Sequence, residues 1–348
     1  MSDGPPEGGP TPSPVQRYLA TLDHEELVVR RGRRSGLYSI VAVHSTIRGP
    51  ALGGCRMWSY DDSRSAVRDA LRLSRAMTFK SSVAGLPLGG GKGVIMLPAG
   101  GRPPSAARRR DALLDFGETV ESLGGRYITA EDVGTSARAM EVIARSTSHV
   151  TGLSRTRGGS GDPSPWTALG VEEAIRASVE RAFGDGSLRG RSVAIVGLGH
   201  VGSRLARLCA KAGAELVVSD VDPARRALAA DLGARWMEPA DALFAEVDVV
   251  APCALGGVLD DETVPQLRCA VVAGAANNQL ESDDVAELLQ ERGILWAPDF
   301  VANAGGIINI SVELEPEGYD PKRARVRVRG IGDTLRQVFD DAEAAGVS

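Results

Sequence analysis

The sequence predicts an α/β protein of two domains, and three features of its 348 residues point to this class. The length is about twice the ~150 residues of an ordinary domain. From Arg191 onward, short apolar runs alternate with amphipathic segments, which is typical of βαβ units around a parallel sheet. The segment Arg155–Pro165 is rich in Gly, Ser and Pro and predicts a linker between the halves. The expected units are a disordered tail at 1–14, a first domain at 15–150, a second at 151–320 and a C-terminal helix at 321–348 that packs back on the first domain.

Apolar spacing places five elements in the first half. Leu37–Ser45 is apolar and β-branched, which predicts a strand. Asp61–Met77 has apolar and small residues at helical spacing. The others are a short strand at Gly93–Leu97 and helices at about Pro104–Leu123 and Ser136–Arg145.

The second half starts with a helix from Ser164 to about Phe183. Pro165 lies in its first turn, where a missing N–H leaves no hydrogen bond unmade. Ser192–Val196 is almost continuously apolar, as a strand buried on both faces requires. The further strands are Glu215–Ser219, Asp248–Ala251, Ala270–Ala273 and Ile294–Ala297, and the further helices are His200–Ala212, Pro223–Asp231 and Asp283–Arg292.

Composition and charge exclude several classes of protein. The formal net charge of −5 argues against a nucleic-acid binder with a broad basic surface, and no apolar run reaches the ~18 residues of a membrane helix. Met1–Pro14 lacks the basic and apolar regions of a secretory signal. The four cysteines show no CxxC spacing and the four histidines no ligand spacing. We therefore expect reduced thiols, a cytoplasmic location and no metal site.

A glycine fingerprint lies near the start of the second domain. Gly197, Gly199 and Gly202 form a G-x-G-x-x-G pattern that follows the strand Ser192–Val196 and begins a helix. Gly197 permits the tight turn, Gly199 lets the backbone approach a pyrophosphate, and Gly202 lets helix and strand pack closely. Because unpaired N–H groups at a helix start favour phosphate, we expect a Rossmann-type dinucleotide site here.

Asp220 indicates which dinucleotide binds. It ends the second strand, 18 residues after Gly202, where a carboxylate accepts hydrogen bonds from ribose hydroxyls and repels a 2′-phosphate. Arg225 and Arg226 follow closely and suit a 2′-phosphate, which keeps NADP as an alternative. We predict NAD.

Two lysines in the first half are candidates for chemistry. Lys80 follows the helix Asp61–Met77, and Lys92 lies among four glycines between apolar flanks. A phosphate loop is excluded, because Leu86 and Gly93 stand where G-x-x-x-x-G-K-[ST] needs Gly and Ser or Thr. Most lysines are exposed, but burial and a second nearby ammonium lower a lysine pKa, as a catalytic lysine requires.

An acidic pair, Glu131–Asp132, ends a short β-type run just before a predicted helix. Either residue suits a helix cap, and either suits a catalytic carboxylate. Spacing alone does not decide between the two interpretations.

Seven segments together resemble one family. In chain order they are Gly49–Met57, Met77–Lys80, Gly89–Gly93, Thr129–Thr135, Gly159–Ser164, Gly274–Gln279 and Asn303–Gly306. From about Leu37 to about Phe339 the chain resembles the leucine/phenylalanine/valine dehydrogenase branch of the glutamate dehydrogenase-like amino-acid dehydrogenases. The resemblance implies an N-terminal α/β substrate-binding and oligomerisation domain, a C-terminal Rossmann-type NAD-binding domain, and a homo-oligomer.

The resemblance also implies roles for three charged residues. Lys80 matches the lysine that holds the substrate carboxylate. Lys92 matches the catalytic lysine that polarises the oxygen on carbon 2 and activates water. Asp132 matches the acid/base that exchanges protons with the substrate nitrogen. Each role answers a chemical need, since an amino acid brings a carboxylate to be held and an amine that must lose a proton before hydride leaves.

The remaining contacts follow from the same resemblance. Asn278 or Asn277 matches the asparagine near nicotinamide and substrate. The other implied substrate contacts are Gly53, Gly54 and Met77, with Leu52, Ala130, Ile307 and Ile310 around the side chain. The implied cofactor contacts are Gly197, Gly199, His200, Val201, Gly202, Asp220, Val221, Cys253, Ala254, Ala275, Asn277 and Asn303.

The implied side-chain pocket is apolar and lacks a cation for a second carboxylate. Family members that accept phenyl rings often have glycine at the position of Ala130, so Ala130 with Ile307 and Ile310 implies a narrower pocket for Val, Leu or Ile. One methylene is worth only ~1–3 kcal/mol of discrimination, which keeps phenylalanine as an alternative substrate.

The predicted function is reversible oxidative deamination of an apolar L-amino acid by NAD, giving a 2-oxo acid, ammonia and NADH. A non-catalytic sensor of NAD or amino acids is a less favoured alternative, because both lysines and the aspartate are present. Another Rossmann oxidoreductase, acting on a cyclic imine or a keto acid without ammonia, is the second. Dependence of the reverse reaction on ammonium separates it from the prediction.

Overall fold

The computed structural model describes residues 22–100 and 103–347. Within them the chain forms two α/β units, each built on its own sheet, with a short 3₁₀ turn at Arg155–Arg157 between them. The tail expected at 1–14 lies outside the described residues. No helix in the described part is long and apolar enough to span a membrane.

The first unit contains a mixed sheet of five strands. They are β1 (Glu26–Arg31), β2 (Tyr38–Ser45), β3 (Ala51–Tyr60), β4 (Gly89–Pro98) and β5 (Tyr127–Glu131), in the order β1-β2-β4-β3-β5. Since β3 runs parallel to both β4 and β5, the same ends of these three strands meet at one edge. β2 and β4 correspond to predicted strands, whereas β1 and β3 have no predicted counterpart.

Glycines explain why β3 was missed and why β4 is longer than predicted. Glycine weakens a strand pattern, but it lets backbones approach closely. A Cβ at Gly53 would lie 1.6 Å from the carbonyl oxygen of Gly91, and one at Gly91 would lie 2.6 Å from the ring of Tyr127. These glycines therefore let the neighbouring strands β3, β4 and β5 lie close together.

Helices cover both faces of this sheet. They are α1 (Ser63–Val83), α2 (Ala106–Glu121) and α3 (Ala137–Ile143). α1 packs Ala66 and Ala70 against one face, and α2 packs Phe116 against the other. α1 extends beyond its predicted end at Met77, because the sequence contains no helix breaker before Gly85. Lys80 consequently lies in the last turn of α1.

The second unit is a six-stranded sheet in which all pairs are parallel. Its strands are β6 (Ser192–Val196), β7 (Glu215–Ser219), β8 (Arg235–Trp236), β9 (Val249–Pro252), β10 (Val271–Val272) and β11 (Leu295–Trp296). The order β8-β7-β6-β9-β10-β11 is that of a doubly wound dinucleotide-binding sheet. The helices are α4 (Ser164–Phe183), α5 (Gly202–Lys211), α6 (Arg226–Asp231), α7 (Pro239–Ala242), α8 (Val285–Glu291), α9 (Asp299–Ala302) and α10 (Gly305–Glu313), with 3₁₀ turns at Pro223–Arg225 and Val264–Gln266.

α10 has no counterpart among the predicted elements. Its residues from Gly305 to Val312 are all buried, so one side of the helix is as apolar or small as the other. A helix buried on every side lacks the amphipathic period by which helices are recognised in sequence.

The C-terminal segment forms two helices, α11 (Pro321–Arg329) and α12 (Ile331–Ala345), instead of the single expected one. They meet at Gly330. α11 packs mainly on α10 and α4, and α12 packs mainly on α4 and α9, rather than on the first sheet. Arg336 pairs with Glu180 at 2.7 Å and Arg181 with Asp340 at 3.1 Å, which ties α12 along α4. The apolar face of α12 explains this, because its Leu335 and Phe339 join the hydrophobic cluster built around α4.

Candidate active site

Lys92 and Asp132 come together above the glycines of β3. Lys92 lies on β4 and Asp132 directly follows β5, so β3 separates them in the sheet. Lys92 Nζ donates to Asp132 Oδ2 at 2.7 Å. A Cβ at Gly54 would lie 2.7 Å from the Cβ of Asp132, so a side chain there would displace the carboxylate.

Burial and charge tune both members of this pair. Burial lowers the pKa of Lys92, and the cation of Arg56 lowers it further, while Asp132 acts in the opposite direction. For Asp132, burial acts to raise the pKa, but Lys92 and Arg56 outweigh it and hold the pKa below its usual value. The site therefore holds a carboxylate and a lysine in direct contact, each with a pKa below its usual value.

The structure distinguishes the two interpretations of the acidic pair. α3 begins at Ala137 with Ser136 as its N-cap, and the Asp132 side chain makes no cap to it. The hydroxyl of Thr135 accepts from the Asp132 N–H at 2.9 Å and donates to Cys55 O at 2.8 Å, which fixes the turn that aims Asp132 at Lys92. Asp132 is thus placed in the ion-pair cluster and not at a helix end.

Lys80 connects the two units. Its Nζ donates to Asn277 Oδ1 at 3.2 Å, and Asn303 Nδ2 donates to the same oxygen at 2.9 Å. Burial lowers the pKa of Lys80 to about 8, with Asp299 raising it and Lys92 lowering it. A substrate carboxylate beside Lys80 would favour the charged form.

A strained turn presents the two asparagines. Asn278 has a φ of +52°, in the left-handed region, and its N–H donates to Asp299 Oδ2 at 2.7 Å. Asp299 is buried, and burial raises its pKa. In this arrangement the side chain of Asn277 reaches Lys80, whereas Asn278 is held through its backbone.

The residues expected around the substrate side chain share one buried hydrophobic cluster that includes both units. Leu52, Ala130, Ile307 and Ile310 belong to it, and Met77 packs against it. The fold therefore brings two residues of the first sheet region and two of α10 to one apolar region.

The glycine fingerprint has the geometry of a dinucleotide site. Gly197 has a φ of +106°, and a Cβ at Gly202 would lie 1.9 Å from the Gly197 carbonyl oxygen. A Cβ at Gly199 would meet nothing within 4 Å, which leaves open space where a pyrophosphate approaches. Asp220 directly follows β7, and its carboxylate accepts from Leu198 N–H at 2.6 Å. The three glycines Gly197, Gly199 and Gly202 form a dinucleotide cradle. This cradle and the fixed carboxylate of Asp220 fit NAD.

The neighbouring positions surround this cradle. His200 and Val201 precede α5, Val221 is exposed beside Asp220, and a Cβ at Gly197 would lie 2.7 Å from the Cβ of Ala254. Cys253 donates its N–H to Val196 O, and Ala275 O accepts from Asn303. Arg225 and Arg226, which suited a 2′-phosphate, pair with Asp222 and Glu238.

Three charged residues of the site were missed from sequence. Arg56 lies in a segment that carried the resemblance, but no role was assigned to it. The sequence marks neither Asp69 nor Asp299 clearly as a site residue. Asp69 resembles any acidic residue on an amphipathic helix, and only the apolar residues beside Asp299 indicate that it is buried. Within the described ranges, no group of three or more His, Cys, Asp or Glu side chains is arranged to hold a metal ion.

Gly54→Ala should displace Asp132, because the added Cβ would also lie 2.7 Å from the carbonyl oxygen of Glu131. We expect turnover of the amino acid that the resemblance implies to fall by about 10²-fold, the usual effect of misplacing a reacting group by ~1 Å. Steady-state kinetics would check this. Gly332→Ala is the control, because φ at Gly332 is not positive and the nearest atom to its added Cβ would be Arg336 Nη1 at 3.5 Å, an ordinary contact distance.

Two family profiles match most of the chain. Residues 24–149 match "Glu/Leu/Phe/Val dehydrogenase, dimerisation domain", and residues 225–332 match "Glutamate/Leucine/Phenylalanine/Valine dehydrogenase". Residues 171–257 also match the NAD-binding domain of the D-isomer specific 2-hydroxyacid dehydrogenases.

Similar proteins cover nearly the whole chain. Leucine dehydrogenase of Thermoactinomyces intermedius is 45% identical over 332 residues, 95% of this chain and 88% of that protein. Valine dehydrogenase of Streptomyces virginiae is 44% identical over 328 residues, 93% of this chain and 90% of that protein. Among solved structures, L-tryptophan dehydrogenase from Nostoc punctiforme superimposes with a TM-score of 0.80 at 38% identity, covering 95% of this chain and 93% of that chain.

Together, the fold, the site and these matches define an oxidoreductase of the amino-acid dehydrogenase class that uses NAD. A lysine–aspartate pair lies in one unit and a dinucleotide cradle in the other. The chain belongs to the Glu/Leu/Phe/Val dehydrogenase family.

Proposed function

We propose that this enzyme catalyses the reversible oxidative deamination of branched-chain L-amino acids, giving the 2-oxo acid, ammonia and NADH. The observation that carries the proposal is the buried pair of Lys92 and Asp132, joined at 2.7 Å, with Lys80 on the same side of the fold. The family membership and the leucine and valine dehydrogenase relatives support it.

Each charged residue serves one need of the reaction. The ammonium of Lys80 binds the substrate carboxylate, and the backbone at Gly53 and Gly54 borders the same space. Asp132, whose pKa is held down by the permanent cation of Arg56 as well as by Lys92, takes a proton from the substrate amine. Lys92 in its neutral form takes a proton from water, and the water adds to carbon 2 of the imine. Asp132 gives its proton to the nitrogen, the carbon–nitrogen bond breaks to release ammonia, and the hydroxyl proton passes to Asp132 as the 2-oxo group forms.

NAD, when bound, accepts the hydride from the α-carbon. Gly197, Gly199 and Gly202 would hold its pyrophosphate, and Asp220 its ribose hydroxyls. Asn277 and Asn303 would lie near the nicotinamide, since their side chains meet at the interface between the units. The contact between Lys80 and Asn277 brings the two halves of the site together.

The apolar cluster selects the substrate. Leu52, Ala130, Ile307 and Ile310 contribute no cation that could bind a second carboxylate, so glutamate and aspartate should be poor substrates. The leucine and valine dehydrogenase relatives agree with a branched aliphatic side chain. Phenylalanine is the alternative substrate that the experiment must compare.

The test measures NADH formation with L-Val, L-Leu, L-Ile, L-Phe, L-Trp and L-Glu at alkaline pH, and compares kcat/KM. We expect the branched aliphatic substrates to lead. The reverse reaction with the matching 2-oxo acid should require ammonium. No turnover with any aliphatic or aromatic amino acid would contradict the proposed activity, and a preference for L-Phe would correct the substrate.

We propose that the enzyme acts as a homo-oligomer, because its first unit matches a domain described as a dimerisation domain. Cys55, Cys209, Cys253 and Cys269 are free, which fits the expected cytoplasmic location. Light scattering coupled to gel filtration would give the number of subunits.

A further inference from the structure

Arg56 contacts the proposed acid/base directly, although the steps assigned to Lys80, Lys92 and Asp132 do not use it. It follows Gly54 by two residues on β3, so both project to the same face of the sheet. Arg56 Nε donates to Asp132 Oδ2 at 3.0 Å, the same oxygen that accepts from Lys92. Among the described residues, both side-chain donors to this carboxylate bond Oδ2. Oδ1 is therefore left for the substrate nitrogen.

A second carboxylate holds Arg56 from the other side. Its Nη1 donates to Asp69 Oδ2 at 2.9 Å, and the hydroxyl of Tyr60 donates to that oxygen at 2.6 Å. Asp69 belongs to α1, the helix that also carries Lys80. The side chains of Arg56 and Asp69 are only 22% and 15% exposed, so solvent competes little for these bonds.

We propose that Arg56 is a positioning residue of the deamination reaction: it fixes one oxygen of Asp132 so that the other faces the substrate amine, while Asp69 and Tyr60 lock the guanidinium in place. This inference rests on the proposed function. Arg56 itself does not touch the substrate in this scheme. It acts through the orientation and the charge of Asp132.

Arg56 also influences proton transfer through its charge. The groups that face Asp132 are Lys92 from β4, Arg56 and the neutral thiol of Cys55 from β3, Lys80 from α1, and the neutral phenol of Tyr127 from β5. After burial and Asp132, Arg56 is the next influence on the pKa of Lys92 and lowers it, whereas Asp69 raises it. Removing the Arg56 cation should therefore raise the pKa of both Lys92 and Asp132, and removing the Asp69 charge should lower that of Lys92.

The experiment is a pH profile of kcat/KM for oxidative deamination of the best amino acid, where the acidic limb reports Lys92 losing its proton. Arg56→Met should lower kcat by about 10²-fold and move this limb toward higher pH by about one unit. Arg56→Lys keeps the charge, so its limb should stay close to that of the wild type while kcat falls. Asp69→Asn should move the limb toward lower pH.

Arg72→Met is the matched control, because Arg72 is exposed and pairs with the other oxygen of Asp69 at 3.2 Å. Its profile should overlay that of the wild type. If Arg56→Met loses activity with an unmoved limb, or keeps full activity, Arg56 has no positioning role. An Arg72→Met shift equal to that of Arg56→Met would also overturn the inference.

Protein folding and the proposed function are controlled separately. Circular dichroism and NAD binding report whether each variant folds. If Arg56→Met does not fold, the test rests on Asp69→Asn, whose acidic limb should move to lower pH. An Asp69→Asn limb that stays in place or moves upward contradicts the inference. An inactive wild type would contradict the proposed function, whereas an active wild type with unshifted variants contradicts only the role of Arg56.

Discussion

Lys92→Ala should abolish measurable turnover while NAD binding survives. The variant loses the base that activates water, and general base catalysis by one side chain is worth about 10²–10⁴-fold. It also leaves Asp132 with Arg56 as its remaining cationic partner, at 3.0 Å, so the carboxylate stays charged and the fold should persist. The dinucleotide cradle lies in the other unit and should be unaffected. Turnover is measured as NADH formation, and NAD affinity by calorimetry.

Lys211→Ala is the matched control for this result. Lys211 is an exposed lysine at the end of α5, and it contributes nothing to the pair of Lys92 and Asp132. Its replacement should leave kcat unchanged. Substantial activity in Lys92→Ala would show that another group activates water, and loss of NAD binding in that variant would show a structural effect instead.

Asp132→Asn should reduce kcat by about 10³-fold, within the range for losing a proton-transfer group. The amide keeps the shape of the carboxylate but accepts no proton from the substrate amine. KM should change less than kcat, because Lys80 still binds the substrate carboxylate. Steady-state kinetics with the preferred amino acid separate the two parameters.

Glu131→Gln tests whether the role belongs to Asp132 or to its neighbour. Glu131 is half-buried, and burial followed by the nearby Asp162 raises its pKa. It makes no ion pair with Lys92 in the described structure. We expect Glu131→Gln to retain most of the activity. If this variant loses turnover and Asp132→Asn does not, the acid/base role belongs to Glu131 and not to Asp132.

Much of the second unit could be predicted from sequence for a local reason. In Ser192–Val196 and the glycines that follow, strand, turn and helix start are adjacent in the chain, so each supports the others. The prediction of an NAD-binding Rossmann-type domain is confirmed by the strand order and the family profiles, as is family membership. The roles of individual residues stay predictions.

The first unit was less predictable because its site depends on contacts between distant segments. Arg56 meets Asp69 and Asp132 only after β3 has been placed between β4 and β5. The contact of Lys80 with Asn277 joins residues 197 positions apart, and it needs both the extension of α1 and a left-handed turn at Asn278. Local periodicity in the sequence carries no information about contacts between such distant segments. Here the resemblance to a family supplied the candidate residues that pattern alone could not.

The burial of Lys92 has a practical consequence for covalent chemistry. Only four of the 40 basic residues in the chain are lysines, and Lys80 and Lys92 are two of them. Lys211 and Lys322 are exposed and lie on α5 and α11. Arginine remains protonated at every ordinary pH, whereas lysine can give up its proton. An amine-directed reagent or resin should therefore reach Lys211 and Lys322 but not Lys92. Lys80, with its pKa lowered to about 8, needs bound substrate to protect it during coupling if the immobilised enzyme is to keep its turnover.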